Sequence, residues 1–121
     1  MLVLDHMTVP VRDKEATVDF YASVFAGQKG SARGRIVGLW LSEVLELQFR
    51  ATDVVESNHY AFRLDAEEFD AILGRLNALG IPYGSSRTDL NGELLVSPNS
   101  QRAVFFPDPN GHDLELITGP R

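Results

Sequence analysis

The chain repeats itself. His59 follows His6 by 53 positions, and Tyr60, Phe62 and Leu64 follow Met7, Val9 and Val11 by that same interval. Each segment opens on a strand-like run, Leu2 to Val9 and Asn58 to Leu64, and each closes on an alternating Leu-Glu-Leu, at 45–47 and 114–116. A side chain on a strand points to the opposite face from its neighbours, so the alternation sorts the residues by side. Met7, Val9 and Val11, Tyr60, Phe62 and Leu64, and the closing Leu45, Leu47, Phe49, Leu114 and Leu116 take the face that a helix would cover. His6, His59, Glu46 and Glu115 then take the other face. Two imidazoles and two carboxylates in pseudo-twofold positions are what a divalent metal ion needs, and the duplication gives four residues far apart in sequence a reason to meet.

Between the opening and closing strands each segment carries a helix. Asp13 is placed to cap one running to about Phe25, with Phe20, Tyr21, Val24 and Phe25 as its apolar stripe and Gly27 as the glycine that ends it. In the second segment Asp65 and Glu68 form a capping-box variant ahead of a stripe of Phe69, Ile72, Leu73, Leu76 and Leu79, and Gly80 with Pro82 stops the helix. Short strands follow: Arg35 to Leu41 and Val44 to Phe49 in the first segment, and Leu94 to Val96, Ala103 to Phe106 and Asp113 to Ile117 in the second. A third strand of the first segment is weakly marked around Gln28 to Ala32. The run Pro107-Asp108-Pro109-Asn110-Gly111 is a turn. The plan is βαβββ, twice: an α+β chain of one domain, with modules at about 1–52 and 57–119.

At 121 residues the chain can build one compact domain with a real core. No apolar run approaches the roughly 20 residues that span a bilayer, and no charged-then-apolar leader is read at the start. A net charge of −6 argues against nucleic acid or an anionic membrane as partner. There is no cysteine, which excludes disulfides and thiolate metal sites and fits a reducing cytoplasm.

The residues Leu4-Asp5-His6-Met7 ahead of a helix carrying Phe20-Tyr21, the second His59, and above all the ending Phe105-Phe106-Pro107-Asp108-Pro109-Asn110-Gly111-His112-Asp113-Leu114-Glu115-Leu116 resemble the vicinal oxygen chelate superfamily over nearly the whole chain. That family includes glyoxalase I, fosfomycin-resistance thiol transferases, methylmalonyl-CoA epimerase, extradiol dioxygenases and the metal-free bleomycin-resistance proteins. The resemblance implies paired βαβββ modules whose mixed sheet curls around a cleft, and commonly a homodimer in short members. It implies His6, His59 and Glu115 as metal ligands, with Glu46 matching the fourth ligand of glyoxalase-like members.

Imidazole nitrogen and carboxylate oxygen suit Zn²⁺, Ni²⁺, Fe²⁺, Mn²⁺ or Co²⁺. Four protein ligands on an octahedral ion leave two positions, enough for a substrate chelating through two adjacent oxygens. Three ligands leave room for dioxygen as well. The four-ligand set favours non-redox isomerase, lyase or epimerase chemistry on a small molecule, with Glu115 first and Glu46 second as candidate base. Arg63 and Arg102 are either substrate-anion holders or surface charges, and Trp40 is core or pocket wall. His112 is read as structural or solvent-facing. Asp5 falls on the helix side, where it could serve the helix cap. Two other readings stay open: a metal-free binding protein of the bleomycin-resistance kind, and an extradiol dioxygenase.

Overall fold

The computed structural model describes residues 1–119, and the chain divides into two compact units, the first spanning Met1–Glu56 and the second beginning at Ser57. The first contains β1 (His6–Val11), α1 (Lys14–Phe25), β2 (Gln28–Arg33), β3 (Ile36–Trp40) and β4 (Glu46–Ala51). The second contains β5 (His59–Leu64), α2 (Ala66–Leu79), β6 (Leu95–Val96), β7 (Arg102–Pro107) and β8 (Asp113–Thr118). Each unit forms one four-stranded mixed sheet, ordered β1-β4-β3-β2 and β5-β8-β7-β6. The opening and closing strands pair in parallel, and the other pairs are antiparallel.

Parallel neighbours need a long crossover, and in both units a capped helix supplies it. Asp13 Oδ1 accepts from the backbone N–H of Glu15 at 3.1 Å and of Ala16 at 3.0 Å, which ties down two of the unpaired donors at the start of α1. Asp65 does the same for Glu68 N–H at 2.8 Å. Gly80 ends α2 in the left-handed conformation, φ 68°, and Ile81 N–H returns to Leu76 O at 2.9 Å. At the end of α1 the left-handed residue is Ala26, φ 55°, rather than Gly27. Gly27 is needed for another reason: a Cβ there would stand 2.7 Å from the carbonyl oxygen of Trp40.

The alternation read from the sequence sets the cores. In the first unit Val9, Val11, Leu47 and Phe49 are buried beneath Val18, Tyr21 and Val24, with the rings of Tyr21 and Phe49 4.7 Å apart. In the second, Phe69, Ile72 and Leu76 of α2 are buried with Val104, Phe106, Leu114 and Leu116. Leu79 is exposed, because the sheet-facing stripe of α2 ends one turn earlier at Leu76. The loop after α2 runs back along β7, where Gly84 and Phe105 exchange two backbone hydrogen bonds of 2.9 Å. Among the described residues no helix is long and apolar enough to cross a membrane.

One irregularity shapes the outer face of the first unit. Lys29 pairs with Leu39 and Ala32 with Val37, so Gly30 and Ser31 together oppose the single residue Gly38. The extra residue reverses the alternation of β2 beyond that point and brings Arg33 opposite Ile36, onto the face of Gly38.

Asp13→Ala is expected to lower stability by about 1 kcal/mol, with Asp13→Ser recovering most of it. Phe49→Ala, which empties the centre of the first core, is expected to cost about 3–5 kcal/mol. Urea denaturation followed by circular dichroism measures both.

Candidate functional site

In the second unit an imidazole and a carboxylate meet on the face opposite the helix. His59 on β5 donates from Nε2 to Glu115 Oε1 on β8 at 2.9 Å, with Glu115 largely buried and His59 half exposed. The turn that carries the motif signal holds them in place. Asp108 Oδ1 accepts from the N–H groups of Asn110 at 2.8 Å and His112 at 2.9 Å, closing the turn on itself, and Gly111 takes φ 83°. His112 is fully buried; its Nδ1 accepts from Asn58 N–H at 3.0 Å, and its ring meets Tyr60 edge-on. Ser57 Oγ donates to Gly111 O at 2.8 Å, and Asp113 N–H donates to Asn58 O at 2.9 Å. The turn therefore clamps the residues just before His59 to those just before Glu115. His112 is structural, and the most recognisable stretch of the sequence works as a fastener.

The first unit repeats the arrangement with a different register. His6 stands opposite Glu46, whereas His59 stands opposite Asp113 and Glu115 opposite Ala61. The first rung is the same in both: Glu46 N–H donates to Asp5 O at 3.0 Å just as Asp113 N–H does to Asn58 O. The register counterpart of Glu115 is thus Gln48, and that of Glu46 is Asp113. Glu46 and Glu115 share the outward face of their strands, as expected, but stand two residues apart in register.

That offset gives Glu46 its own surroundings. Its Oε1 accepts from Gln48 Nε2 at 2.8 Å. Its Oε2 lies over bare backbone: a Cβ on Gly38 would come within 2.7 Å of it, and one on Gly30 within 3.3 Å. A cavity of about 50 Å³ beside it is lined by Ser31, Arg33, Ile36, Gly38, Glu46 and Gln48. Asp5 does not serve the helix cap, which Asp13 fills; its Oδ2 accepts from His6 Nδ1 at 2.8 Å. That bond fixes the tautomer of His6 and turns Nε2 outward as a lone-pair donor.

The other candidates are spread out. Trp40 pairs opposite Glu46 at the end of β3 and stays 39% exposed, walling a cavity of about 490 Å³ with Gln28, Leu41, Ser42 and Glu43. Arg63 lies four residues along β5 from His59, and its guanidinium donates to the carbonyls of Thr118, at 3.3 Å, and Gly119. Arg102 turns to the helix side, paired with Asp70 at 2.7 Å and stacked 4.5 Å over Phe69, while bordering a cavity of about 200 Å³ that also touches Leu95, Ala103, Glu115 and Ile117. Two contributors went unread in the sequence: Arg33, whose face depends on the bulge, and Asp5 as the partner of His6. The signal for the first was a pair of glycines within strands, Gly30 and Gly38.

Each unit thus presents one imidazole and one carboxylate, a nitrogen and an oxygen donor of the kind borderline and hard divalent ions take. Among the described residues no group of three or more histidine, aspartate and glutamate side chains stands together as a metal-binding cluster. The donor chemistry fits a divalent ion, and each pair supplies about half of the usual protein ligands.

Comparison with known proteins gives a consistent set of relatives. The chain is 30% identical to fosfomycin resistance protein FosX of Listeria innocua, covering 96% of this chain and 89% of that protein. It is 28% identical to metallothiol transferase FosB of Lysinibacillus sphaericus, covering 96% and 82%. Among solved structures, oxidase ChaP-H2 superposes with a TM-score of 0.86 at 28% identity, over 98% of this chain and 94% of that one. No family model matches the chain.

His112→Ala leaves Asn58 N–H without its acceptor and opens a hole in the clamp; a stability loss of about 2–4 kcal/mol in urea denaturation is expected. Burial raises the pKa of Tyr60, outweighing the hydrogen bond from Asn58, and the nearby Asp108 adds to the rise. A phenol held neutral by the fold contributes stability that is complete below its unfolded value of about 10 and is lost as pH climbs from there through the raised folded value. The melting temperature should therefore fall more steeply above about pH 10 in the native chain than in Tyr60→Phe.

Proposed function

The chain belongs to the vicinal oxygen chelate superfamily, and from that premise we propose that it is a metal-dependent enzyme acting on a small molecule with two adjacent oxygens. The observation that carries this reading is the His59–Glu115 pair, 2.9 Å apart on the face turned away from the helix and braced by a buried turn. A surface glutamate would gain nothing from such bracing, whereas a ligand pair needs its geometry fixed before the ion arrives.

In this reading His6, His59 and Glu115 hold the ion, and Glu46 is either a fourth ligand or the proton acceptor. When bound, a divalent ion supplies a Lewis acid that polarises the oxygens chelated to it. The rest is the work of the chain. Asp5 keeps the Nδ1 proton of His6 and leaves Nε2 for coordination. Glu46 takes up a proton at Oε2, the oxygen lying over Gly38, while Gln48 steadies Oε1. The register favours the base over the fourth ligand, since Gln48 and not Glu46 stands where Glu115 stands in the other module. Fosfomycin, named in the relatives, is the first substrate to assay, with glyoxalase-type isomerisation second.

Each unit supplies one pair of donors, and as in short members of the family we assign the completing pair to a second copy in a homodimer. Mixed dimers of His6→Ala and His59→Ala test this: recovered metal binding at one site per dimer supports it, and no recovery places the whole set within one chain. Purified protein loaded in turn with Zn²⁺, Ni²⁺, Mn²⁺ and Fe²⁺ should hold about one ion per chain, and His59→Ala or Glu115→Gln should weaken binding about 100-fold. Glu46→Gln should leave affinity within about tenfold while slowing turnover by about 10²–10⁴. Uptake below about a tenth of an equivalent would remove the enzyme reading. Ligand-induced thermal stabilisation of the chelator-treated protein would then favour a metal-free binding protein.

A further inference from the structure

We infer that Arg33 is the specificity-determining residue that receives an anionic group, a phosphate, phosphonate or carboxylate, on the substrate of the site proposed above, and the inference rests on that reading for its place beside Glu46. Arg33 lines the same cavity as Glu46, Gln48 and Ser31. Among the described residues it has neither an ion-pair nor a hydrogen-bond partner, while Arg63, Arg87 and Arg102 have theirs. A guanidinium offers five donors in a planar fork that matches two oxygens of an anion at once, and here all five are available.

The bulge is the reason it points there. Without the extra residue at Gly30-Ser31, Arg33 would fall on the helix-facing side with Val37 and Leu39, away from Glu46. Bulges re-aim side chains at functional edges, and this one sets a cation and the Ser31 hydroxyl across a glycine floor from a carboxylate. The second module shows what the position holds otherwise. Arg33 stands opposite Ile36 as Leu95 stands opposite Ala103, and Leu95 and Ala103 border a cavity there with Arg102, Glu115 and Ile117. One module thus places an arginine at the register position where its duplicate places a leucine. A carboxylate that must accept a proton gains from a fixed cation nearby that orients an anionic substrate with its acidic C–H or attacking water toward Oε2.

Dihydroxyacetone phosphate and dihydroxyacetone carry the same adjacent oxygens with and without the anion, so the metal-loaded protein is titrated with each by calorimetry. The phosphate ester should bind about tenfold to a hundredfold more tightly. Arg33→Met should abolish that preference without weakening dihydroxyacetone, and Arg33→Lys should keep part of it. A native protein without preference, or a preference that survives Arg33→Met, overturns the inference. The metal-free protein is titrated in parallel with methylphosphonate while the Arg33 Nε–H resonance is followed by nuclear magnetic resonance. A saturating shift absent from the other arginines supports the anion site even if no metal is taken up, and no shift overturns it. Arg33 is exposed and in no core, so both variants should fold, with circular dichroism as the check.

Discussion

The parallel pairing of an opening strand with a closing strand, made once in each module, is the contact on which the site depends. Hairpins could place a histidine beside a carboxylate only among near neighbours in sequence. The crossover through α1 brings Glu46 opposite His6 across 40 positions, and the crossover through α2 brings Glu115 within 2.9 Å of His59 across 56. The first rung of each pairing is the same hydrogen bond, from Glu46 or Asp113 to the carbonyl before the histidine. A slip of one residue at either rung would turn every donor into the core and every leucine out to solvent, so the apolar faces enforce the register that the polar faces use.

That enforcement explains what could be read from the sequence. The interval of 53 between the opening strands, the aspartate caps of both helices, Gly80, and the sorting of Val9, Phe49, Leu114 and Leu116 against the histidines and glutamates all follow from local periodicity. The limits of β4, which begins at Glu46 and not Val44, and the left-handed Ala26 follow from tertiary fit, which propensity does not see. The larger difference is one of register. Alternation says which face a residue takes but not which partner it meets. Glu46 and Glu115 therefore looked equivalent from parity alone, and only the pairing of His6 with Glu46 against His59 with Asp113 separates them. Arg33 was hidden for the complementary reason. A single inserted residue reverses parity, and nothing in a one-dimensional alternation announces it except two glycines at positions where a strand would rather have side chains.

The duplicated halves have diverged in how they hold their polar groups, and the difference bears on what each can do. In the second module the donors rest on a buried network: Asp108, Asn110 and His112 are sealed from solvent, and the turn grips both flanking strands. Such support suits groups that must not move. In the first module Glu46 has one neighbouring amide and a floor of two glycines, and a cavity of about 50 Å³ adjoins it. Such support suits a group that changes protonation and hydrogen-bond partner during a cycle. The glycines matter through what they lack: alanine at Gly38 would displace Oε2, 2.7 Å from the new Cβ, and one at Gly30 would crowd it at 3.3 Å. A carboxylate braced by a buried turn and one held by a single amide beside a cavity are different tools. Gene duplication supplies both from one template, provided that the sheet faces stay in register while the residues that brace them are free to change.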